Sequence, residues 1–218
     1  MHKRVNAIEA VVFDLGGVLV DWNPRHLFRK IFVDDEAAME AFLANVCNTA
    51  WNERQDRGRS WAAAIDEAIA EHPAHASNIR AYRERWEEML AGALEGTVQV
   101  LDELHAAGVR LIALTNWSAE TFHYAEQRFG FLDKFEGILV SGQENLMKPE
   151  PEIFQLLLRR YGLDPSRTLF IDDVQKNVDA AKAQGMQALR FIDPDQLRQA
   201  LAGLGLPGVK PLQVVRKA

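Results

Sequence analysis

Five short apolar runs, AVVFDL, VRLIALT, GILV, TLFID and QALRF, constrain this chain more than any other feature. Each is nearly continuous in apolar side chains, as strands covered on both faces of a parallel sheet are. Helical patterns separate them. Thr97 to Ala107 puts Val100, Leu101 and Leu104 on one face and stops at Gly108. Pro151 opens a second helix with Ile153, Phe154, Leu157, Leu158 and Tyr161 inward, closed by Gly162, and a third runs over 175–184 to Gly185. Strand and helix in alternation predict a doubly wound α/β layer, assigned to residues 1–21 and 96–218.

The interval from Trp22 to Glu95 breaks that alternation with helical periodicity and no convincing strand. Asn23-Pro24 reads as a cap with proline at the first helical position, and Asp34 begins a second helix. Ser60 caps a third helix carrying Trp61, Ile65 and Ile69; a fourth carries Ile79, Tyr82, Trp86, Met89 and Leu90. Residues 22–95 are therefore expected to form a small helical bundle inserted after the first strand, able to fold over the strand ends as a lid. Four of the five tryptophans, Trp22, Trp51, Trp61 and Trp86, fall in this insert or at its hinge. Trp61 and Trp86 sit on apolar stripes. Trp51 precedes the polar stretch NERQDRGRS, where Gly58 breaks the helix and a loop can face the site. Arg54, Arg57 and Arg59 read first as a solvated helix end; Arg54 joins Trp22 and Trp51 as a candidate substrate contact.

Polar groups stand where the apolar runs end. In FDLGGVLVD the first strand finishes on Asp14, and Gly16-Gly17 turns the backbone tightly enough for its amides and carbonyls to approach a phosphate or a metal. ALTNWS ends on Thr115 and Asn116, MKPEPEIF carries Lys148, and LFIDDVQKN carries Asp172 and Asp173. Two adjacent aspartates repel each other unless a cation or good hydrogen bonds compensate. Taken in order over residues 9 to 192, this set resembles the haloacid dehalogenase-like hydrolase superfamily, whose four motifs are a nucleophilic Asp, a Ser or Thr, a Lys and a late acidic pair.

The resemblance implies a three-layer, Rossmann-like core with a helical cap of the first cap type. It also implies a reaction: Asp14 attacks phosphorus to form an aspartyl-phosphate that water hydrolyses, splitting one displacement into two. Magnesium would be held by Asp14, the Gly16 backbone carbonyl and Asp173, with Asp172 acting through a coordinated water. Thr115 would hydrogen-bond a phosphoryl oxygen, and Lys148 would neutralise charge building in the transition state. Asn177 would cap or orient the following loop. Asn116, Trp117 and Asp21 complete the expected substrate contacts.

Position 16 departs from the family pattern, in which most phosphatases carry a second aspartate that protonates the leaving group. Such a group contributes ~10²–10⁴-fold, so slow turnover or an easily expelled leaving group is expected. DLGGVLVDWNP together with WNERQDRGRS looks most like a bacterial branch that includes α-D-glucose-1-phosphate phosphatase, where glycine also stands there. The expected activity is thus a magnesium-dependent phosphatase of small phosphorylated metabolites, sugar phosphates such as glucose 1-phosphate among them. Two alternatives stand beside it. A 2-haloacid dehalogenase uses the same kind of Asp on carbon without metal, but tends to carry serines in place of Asp172 and Asp173. A non-catalytic binding protein on the same fold is favoured only by the glycine at 16.

A formal net charge of −6 argues against nucleic-acid or anionic-membrane partners, so phosphate binding must be local. With 48% hydrophobic residues in 218, the chain is long enough for a well-buried core and a small insert. Cys47 is the single cysteine and lies on the stripe of Met39, Phe42, Leu43 and Val46, which reads as a buried structural thiol in a reducing compartment. MHKRVNAIEA lacks a signal-peptide core, and no run reaches the ~18 apolar residues of a membrane span. A soluble cytoplasmic monomer or homodimer is expected; the tail LPGVKPLQVVRKA is uninformative.

Overall fold

The structure, a computed structural model, describes residues 7–211. The opening MHKRVN and residues 212–218, on which part of the targeting and tail readings fell, lie outside it. Seven strands and eleven α-helices are formed by the described residues. The strands are β1 Ala10–Phe13, β2 Val20–Trp22, β3 Leu90–Ala93, β4 Arg110–Thr115, β5 Gly137–Val140, β6 Thr168–Asp172 and β7 Gln187–Arg190. The helices are α1 Arg25–Phe32, α2 Glu36–Asn45, α3 Thr49–Asp56, α4 Trp61–Glu71, α5 Ala76–Glu84, α6 Glu95–Ala106, α7 Phe122–Arg128, α8 Ser141–Glu144, α9 Pro151–Tyr161, α10 Gln175–Ala183 and α11 Pro194–Gly203.

All five apolar runs form strands of one parallel sheet in the order β5-β4-β1-β6-β7. Successive side chains of a strand face opposite ways, so β1 sends Val11 and Phe13 into one apolar cluster and Ala10 and Val12 into the other. The first cluster takes Val100, Leu101 and Leu104 of α6 with Leu197 and Leu201 of α11; the second takes Ile153, Phe154 and Leu157 of α9 with Ala181 of α10. Burying each such Leu, Ile or Phe contributes ~1.5–3 kcal/mol relative to exposure. The expected three layers are therefore present. β1 is central in the sheet, which brings the carboxyl ends of β4 and β6 to either side of Asp14.

The insert is helical, with three corrections. Its first four helices were expected as three: the Met39–Cys47 stripe breaks after Asn45, and Asn48 starts α3 by accepting from the Trp51 N–H at 2.8 Å. Asp35, not Asp34, caps α2, accepting from the Ala38 N–H at 2.9 Å. The last predicted helix ends at Glu84; Trp86–Met89 is a 3₁₀ turn and Leu90–Ala93 is β3, paired antiparallel with β2. LAGA is too short and too glycine-bearing to read as a strand alone, and its partner is remote in sequence.

The insert has its own aromatic core. Phe28 meets Phe42 at 4.9 Å between ring centroids and Tyr82 at 5.7 Å, and Trp61 stacks on Tyr82 at 5.7 Å. Cys47 is buried, and burial pushes its thiol up to about 12, so the structural reading holds. No helix among the described residues is long and apolar enough to cross a membrane.

Candidate active site

The Lys148 side chain is fully buried, 0% exposed, and its Nζ lies between two carboxylates, 2.8 Å from Asp14 Oδ2 and 2.7 Å from Asp172 Oδ2. A third bond goes to the Leu114 carbonyl at 2.9 Å. All three ammonium protons thus have acceptors. Burial alone would lower the lysine's pKa, but Asp14 and Asp172 outweigh it and hold it above its ordinary value. Asn116 secures the backbone, accepting from the Lys148 N–H at 2.9 Å and donating to the Lys148 carbonyl at 2.9 Å.

Asp14 follows β1 directly. Its N–H donates to the Ile171 carbonyl at 2.9 Å, and its Oδ1 accepts from the Leu15 N–H at 2.7 Å. Burial, and then the charges of Asp172 and Asp173, push its carboxyl well above the usual range against the pull of Lys148. Burial and Asp172 likewise raise Asp173. Asp14, Asp172 and Asp173 offer oxygens that all lie within 4.8 Å of one another, with one lysine to balance three carboxylates.

A divalent cation fits this cluster because the charge is uncompensated and the donors are hard oxygens. Asp172 is the least available of the three. Its Oδ1 accepts from the Val174 N–H at 2.8 Å, its Oδ2 from Lys148, and Asn177 Nδ2 reaches both at 3.1 Å. Asp14 and Asp173 remain the better direct donors. Gly17 makes room for them: at φ +75°, a Cβ there would lie 2.6 Å from Asp173 Oδ2. Thr115 ends β4 beside them and is buried.

The insert closes over this end of the sheet. Trp61 Nε1 donates to Ser118 Oγ at 3.0 Å, the Trp61 N–H to Glu120 at 3.0 Å, Ser141 Oγ to the Asp56 carbonyl at 2.5 Å, and Lys176 pairs with Glu53 at 3.1 Å. Arg57 pairs with Glu150 across the same seam. Between insert and core lies a cavity of about 50 Å³ lined by Gly16, Trp22, Asn52, Asp56, Trp86, Asn116 and Trp117. Trp22, Asn52, Asp56 and Asn116 also line an open groove of about 720 Å³ that continues to Leu43, Cys47 and Tyr82.

Of the residues expected to contact substrate, Trp22, Asn116 and Trp117 line the cavity; Trp51, Arg54 and Asp21 line neither cavity nor groove. Trp51 is 4% exposed and packs edge-on against Trp61 and Tyr82 at 5.6 and 5.1 Å, so it is core of the insert. Arg54, one turn further along α3, points away and pairs with Glu67 at 3.2 Å. Asp21 pairs with His26 at 3.0 Å and reaches neither cavity nor groove. Sequence reasoning missed Asn52, Asp56 and the cavity role of Trp86. The i, i+4 spacing of Asn52 and Asp56 before Gly58 was the signal, since it puts both on one face of α3 at the end nearest the core.

A central strand ending in an aspartate, a buried lysine and an acidic pair, all beneath a helical cap, define a class of capped α/β hydrolases. The profile of the haloacid dehalogenase-like hydrolases matches residues 8–185, and the chain belongs to that family. It is 30% identical to the sesquiterpene phosphatase AstK of Aspergillus oryzae, over 85% of this chain and 90% of that one. In fold it resembles a family enzyme of Bacteroides thetaiotaomicron, solved with magnesium and inorganic phosphate (TM-score 0.64, 24% identity, 86% of this chain and 96% of that one). It also resembles L-2-haloacid dehalogenase of Xanthobacter autotrophicus, solved with chloropropionic acid covalently bound (TM-score 0.60, 17% identity, 97% and 92%).

Proposed function

We propose that this hydrolase is a magnesium-dependent phosphatase of small phosphorylated metabolites, with Asp14 as nucleophile. The observation that carries the reading is the cluster of Asp14, Asp172 and Asp173 around a single buried ammonium. Such a site attracts a cation, and with it a phosphoryl group, but repels the carboxylate of a 2-haloacid in its bare form. Both dehalogenase and phosphatase relatives share the fold, so the acidic pair is what separates them. Asp14, Asp173 and the Gly16 carbonyl would hold the magnesium, and Asp172 would reach it through water. The ion would screen the phosphoryl charge that otherwise repels a carboxylate. Lys148 holds Asp14 in place and Thr115 would bind a phosphoryl oxygen.

The groove beyond Asn116 would take the rest of the substrate. Its polar side, Asn48, Asn52 and Asn116, suits sugar phosphates such as glucose 1-phosphate. Its Leu43, Ala44, Cys47 and Tyr82 wall, and the sesquiterpene phosphatase relative, bring a prenyl phosphate onto the same panel. The test is phosphate release from that panel with saturating magnesium and after chelation, with Asp14→Asn as the blank. Release requiring both metal and Asp14 is expected. Halide release from 2-chloropropionate without metal would replace the phosphatase reading by the dehalogenase one, and no Asp14-dependent turnover would leave a binding protein.

A further inference from the structure

The cavity between insert and core reaches the backbone of Gly16, two residues after Asp14. Apart from its own chain neighbours, no atom lies within 4 Å of the point where a side chain at residue 16 would begin, so no other residue fills the space next to Gly16. The cavity's other walls are three tryptophans, two asparagines and Asp56. Among these only Asp56 has a side chain that both gives and takes a proton near neutral pH.

Asp56 ends α3 and is held from several directions. The Asn52 side chain donates to its Oδ2 at 2.9 Å, the Ser118 N–H donates to its carboxylate, and Ser141 Oγ donates to its carbonyl at 2.5 Å. Ser118 lies in the loop after β4 and holds the carboxylate, and Ser141 opens α8 after β5 and holds the backbone, so Asp56 is fixed relative to the core although it belongs to the insert. We propose that Asp56 is the general acid and base of the reaction, supplying across the seam between cap and core the group that Gly16 lacks. The proposal rests on the phosphatase reading.

In the first step an Asp14 oxygen bonds to phosphorus and the bond from phosphorus to the leaving oxygen breaks. Its electron pair stays on that oxygen, which takes the proton from the Asp56 carboxyl. In the second step Asp56, now a carboxylate, takes a proton from water as the water oxygen bonds to phosphorus. The bond from phosphorus to Asp14 breaks and Asp14 recovers its electron pair. Burial, and then Glu53 on the same helix, push the Asp56 carboxyl up to about 7, where donor and acceptor forms are balanced. Glu53 is itself paired with Lys176 of α10, and the Tyr82 hydroxyl of α5, raised by burial, stays neutral.

The experiment compares wild type and Asp56→Asn on two esters, an alkyl phosphate and p-nitrophenyl phosphate, whose leaving group departs without a proton. Asparagine keeps an oxygen for the Ser118 N–H but carries no titratable proton. The expected result is a loss of kcat of about 10²–10⁴-fold on the alkyl ester and under about tenfold on the aryl ester, with the alkaline limb of kcat/KM near pH 7 abolished. An equal loss on both esters, or none on either, overturns the proposal and leaves Asp56 a positioning residue for the seam. Should Asp56→Asn not fold, wild type alone decides: kcat/KM across esters of graded leaving-group pKa must be nearly flat at pH 6, and a steep dependence there overturns the assignment. Absence of Asp14-dependent release from either ester in wild type would instead bring down the phosphatase reading itself.

Discussion

Asn116 and Lys148 hold each other by a reciprocal pair of hydrogen bonds, carboxamide to backbone N–H and to backbone C=O, both at 2.9 Å. The lysine's charge is thus positioned by a neighbouring loop as well as by the carboxylates it touches. Asn116→Leu removes both bonds at nearly constant volume and frees the segment that carries Lys148. Catalytic groups displaced by about 1 Å lose as much as ~10²-fold, so kcat is expected to fall by about 10–10²-fold while the melting temperature changes little. Steady-state kinetics with a thermal melt of the same sample checks this.

Adjacent glycines at the nucleophile loop differ in what they demand. Apart from its own chain neighbours, nothing stands within 4 Å of a Cβ at Gly16, whereas one at Gly17 would meet Asp173 at 2.6 Å and the backbone there has φ +75°. Gly16→Ala is expected to fold with unchanged stability. Gly17→Ala should lose about 1–2 kcal/mol from the left-handed backbone and raise the magnesium concentration for half-maximal activity, because Asp173 must move. Denaturant melts and a magnesium titration of both variants separate the two effects.

Asp56 makes stability depend on pH. Its carboxyl sits at about 7 when folded against an ordinary 3.8, so between those values the folded chain binds a proton that the unfolded chain has released. Stability from this group is complete below about pH 4, declines as pH rises through that window, and levels off above about 7. Urea midpoints measured from pH 4 to 8 should show that decline in wild type and a shallower one in Asp56→Asn.

Trp51 and Arg54 lie three residues apart on α3 and are predicted to behave oppositely. Trp51→Ala opens the aromatic cluster with Trp61 and Tyr82 and is expected to cost about 3–5 kcal/mol. Arg54→Ala breaks one exposed pair with Glu67 and should stay within about 0.5 kcal/mol with kcat and KM unchanged. A KM change on removing Arg54 would return it to the substrate.

The core was legible in the sequence because it is written locally. Each parallel strand announces itself as an apolar run, and Asp14, Thr115, Asp172 and Asp173 stand at the ends of such runs, with Lys148 on the connection that follows β5, so the set could be placed together from the sequence. The cap was legible only as helical. Which face of α3 meets the core depends on the break at Val46–Asn48 and the cap at Asn48, and that rotation turned Asn52 and Asp56 toward the site while sending Trp51 inward and Arg54 outward. β2 and β3 escaped notice because three- and four-residue strands are stable only as a pair, and pairing over so long an interval leaves no local period.

That pair has a consequence for how such a protein changes its diet. The chain leaves the core on β2 and returns on β3, the two strands hydrogen-bonded side by side from Val20–Ala93 to Trp22–Leu90. Everything between them hangs on a single two-stranded stem, whose near end is joined to Asp14 through the five residues 15–19. A different bundle spliced onto that stem would present a new surface to substrate while the cation cluster and Lys148 stay as they are. The chemistry and the choice of what undergoes it are thus separable units of inheritance, except at Asp56, where the exchangeable part would carry one group the reaction itself needs.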